Sequence, residues 1–195
     1  MQLLTLRDIQ NLHEYELARD DIRRQVIDLK KRRRVALGPL VTLVFENRDT
    51  VRFQIQEMLR AERIVRPEKV QEEIDVYNEL LPGPGEVAAT LFIEVTDPAA
   101  VQATLDRFVG LDEAGRLVLA VGGRAFPALF APGQSREDRI SAVHYIRFPI
   151  GEAGRALAEG APAILKVDHG GYRAQAALPP ETVAELRGDL EPDRG

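Results

Sequence analysis

Cysteine is absent from this chain of 195 residues. That excludes a disulfide framework, thiolate metal sites, a cysteine nucleophile and any iron–sulfur cluster held by the chain's own thiolates. Long apolar runs are missing too, and none approaches the roughly 18 residues of a membrane span. The opening MQLLTLRDIQNLHEYE has no basic segment ahead of an apolar one and acquires acids at once, so no signal peptide is expected and the expected location is the cytoplasm. No GxGxxG, Walker-type phosphate loop or GxSxG nucleophile elbow occurs, and Gly122-Gly123 reads as a hairpin turn rather than a phosphate cradle. The acidic pairs Glu72-Glu73 and Glu137-Asp138 have no spacing that selects acid–base catalysis. A net charge of −5 argues against nonspecific nucleic-acid binding.

What is present suffices for one buried core, since 45% of the residues are hydrophobic. The expected organisation is a single α+β domain over residues 1–190, with residues 191–195 as a frayed tail. Thr5 to Asp8 has the form of a capped helix start. From His13 to Arg34 there is no Gly or Pro, and Tyr15, Ile22, Val26 and Leu29 recur at helical spacing. Gly38-Pro39 breaks the chain, Val41 to Phe45 has strand character, and Asp49 or Thr50 is placed to cap a helix whose inner stripe is Val51, Ile55, Met58 and Leu59. Pro67 opens a further helix, which Pro82-Gly83-Pro84-Gly85 follows as the clearest break in the chain.

Beyond that break, strand patterns predominate. Val87 to Val95, Leu117 to Val121, Ala125 to Phe130, Ile140 to Phe148, Ala163 to His169 and Tyr172 to Leu178 are β-prone, with short helices after Asp97-Pro98, at Gly151 to Gly160 and from Pro179-Pro180. Pro127 makes its strand an edge or a bulge. The predicted fold class is α+β, with N-terminal helices followed by a mainly antiparallel sheet and interspersed helices.

Two groups of residues are candidates for function. Lys30, Lys31, Arg32, Arg33 and Arg34 form the most basic run, and Gln54, Glu57 and Arg60 share the polar side of the central helix. Together they could dock a partner, or they are solvated helix surface favoured by the helix dipole. No aromatic residue interleaves the basic run, so base stacking has nothing to use. The second group is His144 and His169, each on the apolar side of its strand. If those strands are neighbours, the two imidazoles could share a zinc or iron ion with Glu57, Glu62 or Glu94; otherwise each is a hydrogen-bonded core histidine. His13 has no visible partner, and Ser141 is a weak nucleophile candidate.

The stretch from Arg33 to Ile64, EEIDVYNELLP from Glu72 to Pro82, SAVHYIRF from Ser141 to Phe148 and VDHGGY from Val167 to Tyr172 carry a resemblance. Together they resemble an uncharacterised bacterial family, the domain of unknown function numbered three-five-zero-one. Members of that family are commonly encoded beside a rubrerythrin and an iron–sulfur protein related to heterodisulfide reductase subunits. The resemblance therefore implies a redox or oxidative-stress setting, with such a protein as partner. It brings no established catalytic residues, and other members often carry proline where this chain has Gly170. The leading expectation is an accessory protein that docks a redox partner; the alternative is a metal-dependent enzyme or small-molecule binder using His144 and His169. A nucleic-acid regulator ranks last.

Overall fold

The structure, a computed structural model, describes residues 1–136 and 139–190. The pair Glu137-Asp138 and the tail expected to fray lie outside the described residues.

A single turn of 3-10 helix, Leu6–Asp8, opens the chain, with the Asp8 carboxylate accepting from both the backbone N–H and the hydroxyl of Thr5. The helix α1 (Leu12–Arg32) follows, and Arg33 ends it. A strand begins at once where the basic helix end was expected to run on to Arg34. β1 (Arg34–Leu37) turns at Gly38-Pro39 into β2 (Val41–Glu46), in antiparallel register from Arg34 opposite Val44 to Leu37 opposite Val41. Every second residue of β1 is buried, but the intervening Arg34 and Ala36 disguise the pattern in a stretch this short.

Asn47 caps α2 (Arg48–Glu62), where Asp49 or Thr50 was expected: its side chain accepts from the backbone N–H groups of Asp49 and Thr50, and Thr50 returns its hydroxyl to the Asn47 backbone N–H. Then come α3 (Pro67–Asn78), β3 (Glu86–Ile93), a short turn of 3-10 helix and α4 (Val101–Asp106). Val101, at the start of α4, is exposed, whereas Phe108, just past its end, is fully buried. β4 (Leu117–Val121) and β5 (Arg124–Pro127) form the hairpin expected around Gly122-Gly123. β6 (Leu129–Phe130), a two-strand ribbon of β7 (Ser135–Arg136) and β8 (Arg139–Ile140), β9 (Val143–Pro149), α5 (Ala153–Ala158), β10 (Ala163–His169), β11 (Tyr172–Ala177) and α6 (Pro180–Leu190) complete the order.

The strands make a five-stranded sheet, β1-β2-β3-β9-β6, a four-stranded sheet, β11-β10-β4-β5, and the β7-β8 ribbon; every pairing is antiparallel. The fold is α+β. Pro127 ends the edge strand β5, and two residues later the chain enters the other sheet as β6. A proline cannot donate to a ladder, so the change of sheet falls where pairing has to stop.

The principal core takes one face from each sheet, including Leu43, Phe45, Leu91 and Phe148 from the first and Leu119 and Leu165 from the second. Burying each such side chain contributes about 1.5–3 kcal/mol. Tyr172 pins the sheets together, because its hydroxyl donates to the Leu37 carbonyl at 2.6 Å and accepts from the Leu40 N–H at 3.1 Å. A second, smaller core, of Leu4, Val51, Ile55, Leu59, Ile74 and Leu81, joins the N-terminal segment to α2 and α3. These helices cover the outer face of the five-stranded sheet, and the space they leave uncovered defines the site below.

Candidate functional site

Alternation along β2 sends Val41, Leu43 and Phe45 into the inter-sheet core and Thr42, Val44 and Glu46 to the outer face. Glu46 is therefore a carboxylate at the end of a wholly buried strand, only 4% exposed. Its Oε1 accepts from the Thr90 hydroxyl of β3 at 2.5 Å, and its Oε2 accepts from the Thr50 hydroxyl at 2.5 Å and the Gln54 amide at 3.1 Å. All three donors are neutral. Among the described residues no cation pairs with this carboxylate, and the nearby Arg33 reaches the Glu46 main-chain carbonyl instead.

Glu46 borders a cavity of about 450 Å³ between the outer sheet face and the helices. From β9, Tyr145 and Arg147 line it on the sheet side; Met58 of α2 and Glu73, Val76 and Tyr77 of α3 line it on the helix side, with Glu79 and Leu80 just beyond. The mouth is apolar: Leu129 and Val76 are more than half exposed there, beside Phe130 and Ala131. Burial, and then the neighbouring Tyr145 and Glu73, push the Tyr77 phenol above its ordinary range, so it remains a hydrogen-bond donor at neutral pH. The Arg147 guanidinium donates to Glu86 at 3.3 Å and to the Glu79 carbonyl, which holds it at one end of the cavity. An apolar cavity of this size with a few convergent polar groups has the ordinary form of a small-molecule site.

Of the residues singled out by the sequence, Gln54 reaches this site, as a donor to Glu46, and the others fall elsewhere. Arg33 is fully buried; its Nε donates to the Phe45 carbonyl at 2.8 Å, and its remaining nitrogens reach Glu185 and Asp189 of α6. Arg32 pairs with Glu185, Lys31 with Asp28 and Arg34 with Glu94, so the basic run is dispersed among internal and local partners rather than gathered on one face. Gln54, Glu57 and Arg60 do not form a solvated face either. Gln54 is engaged by Glu46, while Glu57 accepts from Tyr15 and Arg19 of α1 at 2.8 Å and Arg60 donates to Glu16 at 2.8 Å. The Arg19 guanidinium holds the Glu57 carboxyl below the usual carboxylate range, and burial, with Glu57, pushes the Tyr15 phenol up.

His144 and His169 are both buried, as their alternation predicted, but the strands that carry them are not neighbours: β9 belongs to the five-stranded sheet and β10 to the four-stranded one. His144 Nε2 lies 2.8 Å from the Ser141 carbonyl, which can only accept, so the ring proton sits on Nε2, and Nδ1 has no partner among the described residues. Burial pushes its pKa down, against weaker opposing effects of that hydrogen bond and of Asp112. Of the carboxylates considered with the pair, Glu57 is held by α1, Glu94 by Thr42 and Arg34, and Glu62 is exposed at the end of α2. Among the described residues no group of three or more histidines and carboxylates is placed to hold a metal ion.

No motif singles out Glu46 or Tyr77 in the sequence. The missed signal was the alternation itself, which puts Glu46 and Thr90 on the same outer face of adjacent strands. No helix among the described residues is long and apolar enough to cross a membrane. A search among curated proteins gives no match. A crystal structure of a protein of unknown function from Burkholderia pseudomallei K96243 superposes with a TM-score of 0.90 at 34% sequence identity, over 97% of this chain and 100% of that one. The profile of a family described as protein of unknown function, DUF3501, matches residues 3–190, and this chain belongs to that family.

Proposed function

We propose that this protein is a ligand-binding accessory protein whose working site is the cavity beside Glu46. The observation that carries the reading is a buried carboxylate with neutral donors only, opening onto an otherwise apolar space. Burying a carboxylate is costly unless a partner compensates it, and a bound molecule supplies the missing compensation. Native mass spectrometry of protein purified gently from its host tests this directly. A small molecule retained by the wild type and absent from Ala131→Trp, which fills the mouth, supports the site. A wild type that stays at its bare mass, or an adduct that survives the plug, sinks it.

A second reading keeps the redox setting that the family resemblance implies and makes the chain a docking partner for a rubrerythrin-like or iron–sulfur protein. The observation that favours it is the pair Val76 and Leu129, 61% and 53% exposed, on the rim of the same cavity. Copurification of such a protein that is lost with Leu129→Asp places docking at the rim. Loss with rising salt and with Lys30→Ala and Lys31→Ala instead places it at the basic helix end.

A further inference from the structure

We infer that the molecule taken into this cavity is an organic cation, a protonated amine on an apolar or aromatic body. The inference rests on the small-molecule reading proposed above and adds the chemical class of the ligand. A carboxylate offers about four acceptor positions. In Glu46 three are used, one on Oε1 by Thr90 and two on Oε2 by Thr50 and Gln54, which leaves a position on Oε1. An ammonium group fits that vacancy in both hydrogen bonding and charge. It also turns an unpaired buried anion into a buried ion pair with its remaining acceptors satisfied, the arrangement in which burial of charge is tolerated.

The rest of the lining agrees in sign. Glu73 and Glu79 add two carboxylates, against the single guanidinium of Arg147, which Glu86 and the Glu79 carbonyl already engage. An anionic ligand would meet three carboxylates for one committed cation. The aromatic residues Tyr77, Tyr145 and Phe130 supply both apolar contact for the body of a ligand and ring faces that attract a cation. A neutral molecule would use the apolar wall and leave the Glu46 carboxylate without a counter-charge.

The chain has only two methionines, Met1 and Met58, and Met58 lines the cavity. A methyl-labelled methionine spectrum therefore holds one reporter inside the site and one control outside it. Phenethylamine, tryptamine and hexylamine are titrated at neutral pH, with N-acetylphenethylamine as the uncharged and hydrocinnamate as the anionic counterpart. The expected result is a saturable shift of Met58 but not Met1 with at least one amine. Binding of the acetylated form should be weaker by about tenfold or more, as for a lost hydrogen bond to a charged group, with no response to hydrocinnamate. Glu46→Gln, which keeps the shape of the side chain, should abolish the preference for the amine. Should that variant fail to fold, the comparison between charged and acetylated ligand still decides the matter. Equal binding of amine and acetylated amine overturns the cation assignment and leaves the cavity as a site for neutral molecules, and a preference that survives Glu46→Gln overturns Glu46 as the group that selects the cation. No shift of Met58 with any of the compounds up to millimolar concentration overturns both.

Discussion

Arg33 shows how much a single side chain can decide. Four of its contacts, to the Phe45 and Glu46 carbonyls and to Glu185 and Asp189, join the end of α1 to β2 and α6 from a fully buried position. Burial raises the Asp189 carboxyl above its ordinary pKa, against the opposing pull of the guanidinium beside it. Arg33→Ala would strand that carboxylate and should cost about 3–5 kcal/mol. Lys31→Ala, two residues away with a side chain 71% exposed, should cost under about 0.5 kcal/mol. Urea denaturation of the two variants separates an internal staple from a surface charge. In the sequence the five basic residues are indistinguishable, because which of them turns inward depends on where α6 returns from 150 residues away. His144 gives a prediction of a different kind. Its folded pKa lies below the ordinary 6.5, so between the two values the unfolded chain binds the extra proton and the folded one does not. This contribution to stability is complete above 6.5 and is lost as pH falls from there through the lower folded value. Unfolding free energies at neutral pH and at about pH 5.5 should differ less in His144→Phe than in the wild type.

Among the elements, two left-handed backbone positions make opposite predictions. Gly38, at φ +78° in the β1–β2 turn, faces Tyr172 so closely that an added Cβ would lie 2.5 Å from its hydroxyl oxygen. Gly38→Ala therefore strains the backbone and displaces the hydroxyl that pins the two sheets, at a cost of roughly 2 kcal/mol or more. Arg63 ends α2 at φ 54° and ψ 40°, where glycine carries no Cβ penalty. Arg63→Gly should raise stability by up to about 1 kcal/mol, and thermal melts of both variants check the pair. The hairpins and long helices were legible in the sequence because their signals are local: Gly122-Gly123, Pro67 and the stripe of Val51, Ile55 and Leu59 each specify their own element. β1 was not legible. Its four residues follow a strong helix with no intervening Gly or Pro, and only its pairing with β2 identifies it as a strand.

At the scale of the whole molecule, the cavity is a product of layering, which is why no motif announced it. Its sheet side comes from residues that alternate with core positions on β2 and β9, and its helix side from residues that share α2 and α3 with the second core. Each belongs to an ordinary amphipathic element, and the void exists only because α3 rests on α2 and leaves part of the sheet uncovered. This arrangement makes the two layers unequal in stability. Of the twelve residues of α3 only Ile74 is buried, whereas β2 is buried along its whole length and paired on both sides. Segments with few buried apolar contacts open at lower free energy than the core to which they are attached. Hydrogen exchange should accordingly be faster in Pro67–Asn78 than in β2, β3 and β9, by sub-global opening that leaves the sandwich intact. A molecule that spans Tyr77 above and Glu46 below binds only the closed layer, and mass action then stabilises α3 by about 2.7 kcal/mol at a hundredfold excess over its dissociation constant. Exchange in α3 slowed by such a ligand, with the central strands unaffected, would locate binding in the cavity. Uniform exchange across helix and sheet, insensitive to ligand, would show that the layers unfold together.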